Sequence, residues 1–288
     1  MSEDTHVRPR DLFQNVLDHP FSHGVLLATN AISDAYLFLD APLCALGHLE
    51  MIQMHDRSSS LLDHAGHPRV TVSEVTASTV IGGRDEVLQG ALDRLRRVPR
   101  CGVVLAASFP LVALTGTRYR RIWETLDGAE ATPFVEIRTA AEDSNWLDGY
   151  AQTLLALAES VDLAGASPRE GSVAIVGHLM DRTVMEQVAN LEELRRILAA
   201  LGVEVASIWL DGGRYDDLRR VGDVSSIISL PYGREAARIL AERTGAALIE
   251  TDLPFGIHGT EQWVRRVAAG LGREDRAEAF IRTALRET

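Results

Sequence analysis

The sequence predicts an α/β protein made of two Rossmann-like, doubly wound parallel-sheet halves. Three observations carry that prediction. Apolar runs of strand length alternate with segments of helical period along the chain, the pattern of a mostly parallel sheet covered by helices on both faces. The length of 288 residues is that of two domains at roughly 100 to 200 residues each. A small polar stretch near the middle, Asp162 to Gly171, carries two glycines and a proline and separates two such alternating series. It places a domain boundary between residues 162 and 163, giving halves 1–162 and 163–288.

In the first half the strand candidates are Ala35 to Leu39, Arg69 to Val75, Gly102 to Ala107 and Phe134 to Ile137. Helical segments fall near Pro42 to Met54, Asp85 to Arg97, Tyr119 to Leu126 and Trp146 to Val161. In the second half the strand candidates are Val173 to Val176, Val205 to Leu210, Ser226 to Leu230 and Ala247 to Glu250. Between the first two of these lies an amphipathic helix, Val184 to Leu201. Its stripe is Val188, Leu191, Leu194, Ile197, Leu198 and Leu201, and Gly202 is its stop. A closing helix runs from Arg273 to Thr288, with Ala277, Phe280, Ile281 and Leu285 on its inward face.

Composition excludes several functions. All 29 basic residues are arginine, so lysine-dependent P-loop, Schiff-base and pyridoxal chemistry is absent from this chain. A formal net charge of −12 is a poor footprint for a phosphate backbone, which argues against a nucleic-acid partner. No apolar run approaches the roughly 20 residues of a membrane span. Met1 is followed by Ser, Glu and Asp rather than a basic and then apolar leader, so a cytoplasmic protein is expected. The two cysteines, Cys44 and Cys101, form neither a disulfide framework nor a Cys-x-x-Cys pair, and a self-contained cluster or zinc site is not expected.

The richest stretch for chemistry is Ala35 to Asp56. A strand ends at Asp40, Pro42 suits a helix start, and Cys44 falls in the first turn. A helix N-terminus favours a thiolate, which suits metal ligation or nucleophilic work. On a continuing helix His48 lies one turn beyond Cys44, with His55 and Asp56 at its far end. The alternative is a small buried cysteine beside surface histidines. Cys101 reads as a core residue opening its strand. Ser108 ends that strand, where α/β proteins place ligand-binding groups, although no Gly-x-Ser-x-Gly elbow surrounds it. His178 follows a strand and the single glycine Gly177; no Gly-x-Gly-x-x-Gly is present, so an NAD enzyme is disfavoured. The loop Leu253 to Thr260, with Gly256 and His258, reads equally as an anion or cofactor loop at a helix start and as a plain turn with Thr260 as N-cap.

Taken in order, these motifs resemble the nitrogenase component 1 family, which includes dark-operative protochlorophyllide reductase. Leu39-Asp40-Ala41-Pro42-Leu43-Cys44 is similar to the family's His-Gly-Pro-x-Gly-Cys turn. Ile81-Gly82-Gly83-Arg84-Asp85-Glu86-Val87-Leu88 matches its Gly-Gly-x-x-x-Leu helix start. Ser108-Phe109-Pro110 with Leu114-Thr115-Gly116-Thr117 stands where the family has a Cys-Pro turn and an Ile-Gly-Asp-Asp loop. Val173 to Gly177, Asn190 to Val205, and Pro254 to Thr260 continue the likeness through the second half.

The resemblance implies a subunit of an ATP-dependent reductase, with an iron–sulfur cluster, of the 4Fe–4S kind, shared across a dimer interface. ATP would be used by a separate iron protein. Cys44 is then a cluster ligand, and His48, His55 or Asp56 would be substitutes for further ones. Gly82, Gly83, Ser108, His178, Gly256, His258 and Thr260 would shape cofactor or substrate sites, the latter in a crevice between the halves that also includes Asp181. The substrate would be a small molecule or a tetrapyrrole-like ring. Three departures stand out: the family's upstream cluster cysteine has no counterpart near His19 to His23, its later one aligns with Ser108, and the chain has room for two α/β domains where the family has three. A cluster-free binding scaffold on the same fold is the competing reading. A two-domain glycosyl-type transferase or epimerase fits the architecture only by analogy.

Overall fold

The computed structural model describes residues 20–45, 47, 62–63, 66–76, 78–79, 83–128, 131–139, 144–179 and 186–287. Two four-stranded, all-parallel sheets organise them. In the first half the elements are α1 (Phe21–Asn30), β1 (Ala35–Asp40), β2 (Val70–Val72), α2 (Asp85–Arg96), β3 (Val103–Ser108), the short α3 (Pro110–Ala113), α4 (Tyr119–Glu124), β4 (Phe134–Glu136) and α5 (Trp146–Ser160). In the second half they are β5 (Arg169–Val176), α6 (Gln187–Ala200), β6 (Glu204–Ile208), a 3-10 run (Tyr215–Asp223), β7 (Val224–Ser229), α7 (Arg234–Thr244), β8 (Ala247–Glu250), α8 (Gly256–Leu271) and α9 (Glu274–Glu287).

The sheets share one topology. The strand orders are β2-β1-β3-β4 and β6-β5-β7-β8, so each winds outward from its first strand in both directions. The order reverses between β1 and β3 in one sheet and between β5 and β7 in the other. Open α/β sheets bind ligands at the carboxyl ends of the strands flanking such a reversal. The registers name the residues there: Asp40 pairs with Ser108, and Val176 with Ser229. β1 and β3 are buried along their whole length, which explains their unbroken apolar character.

The halves are stitched together by helices and one loop. Within the first half α1 and α5 cross so closely that a Cβ on Gly24 would sit 1.7 Å from the Trp146 carbonyl oxygen, and one on Gly149 2.0 Å from that of Phe21, and α5 carries the link to the second half. α5 is started by a capping box, Asn145 accepting from the Leu147 and Asp148 amides while Asp148 accepts from the Asn145 amide. At its other end Arg243 of α7 donates to the carbonyls of Ala158 and Val161. The loop after β6 returns to the first half: the Gly212 amide donates to Ala31 O at 2.9 Å, and the Asp34 carboxylate accepts from Arg214 Nε and the Tyr215 amide. One apolar core accordingly runs from Phe21 through both sheets to Ile281, with a second, smaller one under α2 and α4.

The strands fall within a few residues of their predicted places, with instructive differences. β5 starts at Arg169, inside the stretch read as linker, because its first residues form an exposed strand end with little apolar signal. α1 is nearly all buried, so it lacks the polar face by which helices are recognised. Val188, predicted on the inward stripe of α6, is 62% exposed because the helix begins at Gln187 and its first turn lies clear of the sheet. Leu285 is likewise exposed, while Ala277 and Ile281 of the same helix are buried. The predicted helix Pro42 to Met54 lies mostly outside the described residues.

Candidate functional site

The carboxyl edge of the first sheet holds a buried polar cluster. Asp40 ends β1 with its side chain wholly shielded from solvent. Its Oδ1 accepts from Arg84 Nη1 and from the Ser73 hydroxyl, each at 2.6 Å, and its Oδ2 accepts from the Tyr119 hydroxyl at 2.5 Å. Gly83, at φ +87°, turns the chain into α2, and Arg84 at the N-cap of that helix points inward. The other arm of its guanidinium reaches the Thr115 and Thr117 hydroxyls at 3.3 Å. Burial and the neighbouring Asp40 charge push the Tyr119 phenol well above its ordinary range, so it stays a proton donor to the carboxylate.

Ser108 belongs to the same edge. Its hydroxyl shares a 2.9 Å hydrogen bond with Thr139 and also reaches Tyr119. It therefore acts as part of a closed network. Cys44 stands outside that network, exposed on the turn after β1 and next to the exposed Leu43. Cys101 is the opposite case: burial pushes its thiol up to about 12, and it packs against the smaller core, as a structural cysteine should.

The donor set at the first edge decides whether it can hold an iron–sulfur cluster unaided. Among the described residues, no group of three or more His, Cys, Asp or Glu side chains is placed to hold a metal. Cys44 offers one thiolate, Ser108 is committed to hydrogen bonds, and Asp40 is committed to Arg84. The described donors of this chain do not by themselves fit a cluster that takes four ligands. His48, His55, Asp56, Gly82 and Asp181 lie outside the described residues.

The second sheet carries a cavity at its own reversal. It has a volume of about 260 Å³ and is bounded by His178, Gln187, Leu194, Ile197, Tyr232 and Thr260, with the Leu253 to Phe255 loop on one side. Every described residue around it comes from the second half. Gly177 precedes His178 at φ +92°, and a Cβ there would lie 2.5 Å from the Gly233 nitrogen and the Leu230 oxygen. The two strand-end turns touch backbone to backbone, a contact only glycine permits. His178 Nε2 lies 3.0 Å from Gln187 Oε1, and Tyr150 donates to the His178 carbonyl at 2.9 Å. Burial holds the imidazole below its usual pKa, with the Gln187 bond and the Asp211 charge opposing.

The predicted loop residues divide. Thr260 borders this cavity and donates to Pro254 O at 3.1 Å. It is not the N-cap, because α8 starts at Gly256, four residues earlier. Gly256, at φ +64°, borders a neighbouring groove under α9, and His258 is exposed and borders neither. The sequence reading missed Asp40, Arg84 and Tyr119 as a unit. The one available signal was a carboxylate closing an otherwise apolar strand, since a fully buried Asp requires a partner.

Comparison with known proteins agrees with the fold. A subunit of the light-independent protochlorophyllide reductase of Roseiflexus castenholzii (strain DSM 13941 / HLO8) is 40% identical over 81 residues, 27% of this chain and 14% of that protein. Its namesake from Roseiflexus sp. (strain RS-1) is 34% identical over 96 residues, 32% of this chain and 16% of that protein. Among solved structures, "Nitrogenase Cp1 at pH 6.5" superimposes with a TM-score of 0.73 at 14% identity, covering 89% of this chain and 58% of that one. "Nitrogenase Cp1 at pH 5" gives 0.67 at 14% identity, covering 93% and 54%. The chain thus shares the nitrogenase fold over little more than half of those chains, and its matched segments are a small part of the curated relatives. The sequence model of the nitrogenase component 1 type oxidoreductases matches residues 22–287, and the chain belongs to that family.

Proposed function

We propose that this chain is one subunit of a nitrogenase-like, ATP-dependent reductase complex of the cytoplasm, with halves divided at residues 162 and 163. In this reading Cys44 presents a single thiolate to a 4Fe–4S cluster shared across an interface with a related subunit or a second copy. The partner supplies the remaining ligands. The cluster, when bound, supplies one-electron transfer. ATP is handled by a separate iron protein, consistent with the absence of lysine and hence of a P-loop here. The substrate, a small molecule or a tetrapyrrole-like ring, sits at the second sheet's strand ends near His178 and Thr260.

The observation that carries this reading is the placement of Cys44 in a chain of this family. It lies exposed on the turn after β1, at the edge where the strand order reverses. Gly83 and Ser108 belong to the same edge and shape it from within.

A second reading, a cluster-free scaffold that binds a small molecule, is favoured by the Asp40–Arg84 pair. Arg84, Ser73 and Tyr119 together close that edge around Asp40 with this chain's own side chains. Anaerobic expression, alone and with candidate partner subunits, separates the two. Iron and acid-labile sulfide that appear with a partner and vanish in Cys44→Ala support the reductase subunit. An iron-free chain in every combination supports the scaffold.

A further inference from the structure

We propose that the cavity at the carboxyl edge of the second sheet binds a small neutral ring compound, of one or two fused rings, that donates an N–H or O–H hydrogen bond to His178. This deepens the proposed reading by naming the class of compound for that site. It depends on that reading only for calling the ligand a substrate.

Size sets the first limit. A cavity of about 150 Å³ accommodates one benzene, so the 260 Å³ here takes one or two rings and does not enclose a four-ring macrocycle. It lies just under the roughly 300 to 1,000 Å³ of pockets for drug-sized ligands. Leu194, Ile197, Leu230 and Leu253 make the body of the cavity apolar. Phe255 stands 76% exposed at its side, a large ring left in water where a bound compound would cover it.

Charge sets the second. Among the described residues, the one charged residue bordering the cavity is Glu193. Both of its carboxylate oxygens accept from Arg196 at 2.7 Å, so among the described residues no unpaired charge faces a ligand, which favours a neutral compound.

Hydrogen bonding sets the third. Gln187 Oε1 is an acceptor, so the His178 nitrogen beside it, Nε2, carries the ring proton. Nδ1 is then left with a lone pair, and no described side chain or backbone group bonds to it. His178 is 9% exposed and borders the cavity, so a ligand donor placed there would meet that lone pair. The Thr260 hydroxyl donates to Pro254 O, so His178 Nδ1 is the acceptor that the strand-end turn itself offers to the cavity.

The test uses the full chain and indole as the probe, followed by calorimetry or ligand-observed NMR. Benzofuran serves as the isostere lacking the N–H, and protoporphyrin IX as the macrocycle. The expected result is indole binding that is lost in Asn190→Trp, which fills the cavity from the exposed face of α6. Indole should weaken about tenfold in His178→Phe, the worth of one buried hydrogen bond. Benzofuran affinity should be unchanged in His178→Phe, which also shows that the cavity survives the substitution. Three results would overturn the proposal: no indole binding to the folded wild-type chain, indole binding indifferent to both substitutions, or protoporphyrin displacing indole from this site. Iron content measured on the same preparations reports on the reductase reading independently, so failure of one does not masquerade as failure of the other.

Discussion

Replacing Arg84 by Met should strand a carboxylate inside the protein. Asp40 has no exposure, and of its three donors only the Ser73 and Tyr119 hydroxyls remain. Breaking a buried ion pair from one side costs about 3 to 5 kcal/mol. The two hydroxyls keep both carboxylate oxygens bonded, which places Arg84→Met at the low end, about 3 kcal/mol. Asp40→Asn leaves the guanidinium with its Thr115 and Thr117 acceptors and should cost about 2 kcal/mol, the loss of one charge-assisted bond. In the double variant neither charge is stranded, so its cost should fall about 2 kcal/mol short of the sum of the singles. Urea denaturation of the four proteins reads these differences from midpoint and slope. Additivity of the two substitutions within about 0.5 kcal/mol would refute the network as described.

Three other outcomes follow from the same structure. Gly149→Ala puts a methyl 2.0 Å from the Phe21 carbonyl oxygen and should cost about 3 kcal/mol, the upper end of overpacking; an unchanged thermal midpoint would rule out the close α1–α5 crossing. Iodoacetamide at mildly alkaline pH should label Cys44 and spare the half-buried Cys101, whose thiol is pushed up to about 12, until the protein is unfolded; equal labelling of both in the folded state contradicts that raised thiol. His178 has a folded pKa below its ordinary 6.5, so its neutral ring contributes stability that is present above pH 6.5 and lost as pH falls through the folded value. NMR titration of its ring protons should give a midpoint below 6.5, and a midpoint at or above that value would contradict the described environment.

The sequence revealed the fold more fully than the site, for a physical reason. Strands such as Val103–Ser108 are buried on both faces and announce themselves as continuous apolar runs, whatever they pair with. Helix α6 shows its stripe at Leu191, Leu194, Ile197 and Leu198 because one face meets the sheet. Helix α1 has no such contrast, being enclosed on every side, and β5 begins in residues whose composition is that of a turn. Site residues are harder to read because tertiary structure alone brings them together. Asp40 meets Arg84 across 44 residues and Tyr119 across 79, and no local spacing encodes either contact. His178 and Thr260 were recognised as strand-end and loop residues, yet that they border one cavity depended on where α6 and α8 pack. Cys44 lies on the turn after β1, where its sequence pattern puts it.

Family membership and the donor set pull the account in different directions, and the first sheet's edge is where they meet. The fold positions an exposed cysteine at the strand-order reversal, while the buried edge beside it is closed by an ion pair. A subunit that contributes one ligand to a shared cluster satisfies both facts. Iron and acid-labile sulfide per chain, measured on anaerobically purified complex before and after Cys44→Ser, test this most directly. The account predicts stoichiometric cluster in the complex and its loss in the variant, with the fold unchanged. Retention of full iron and sulfide by the variant complex would contradict it.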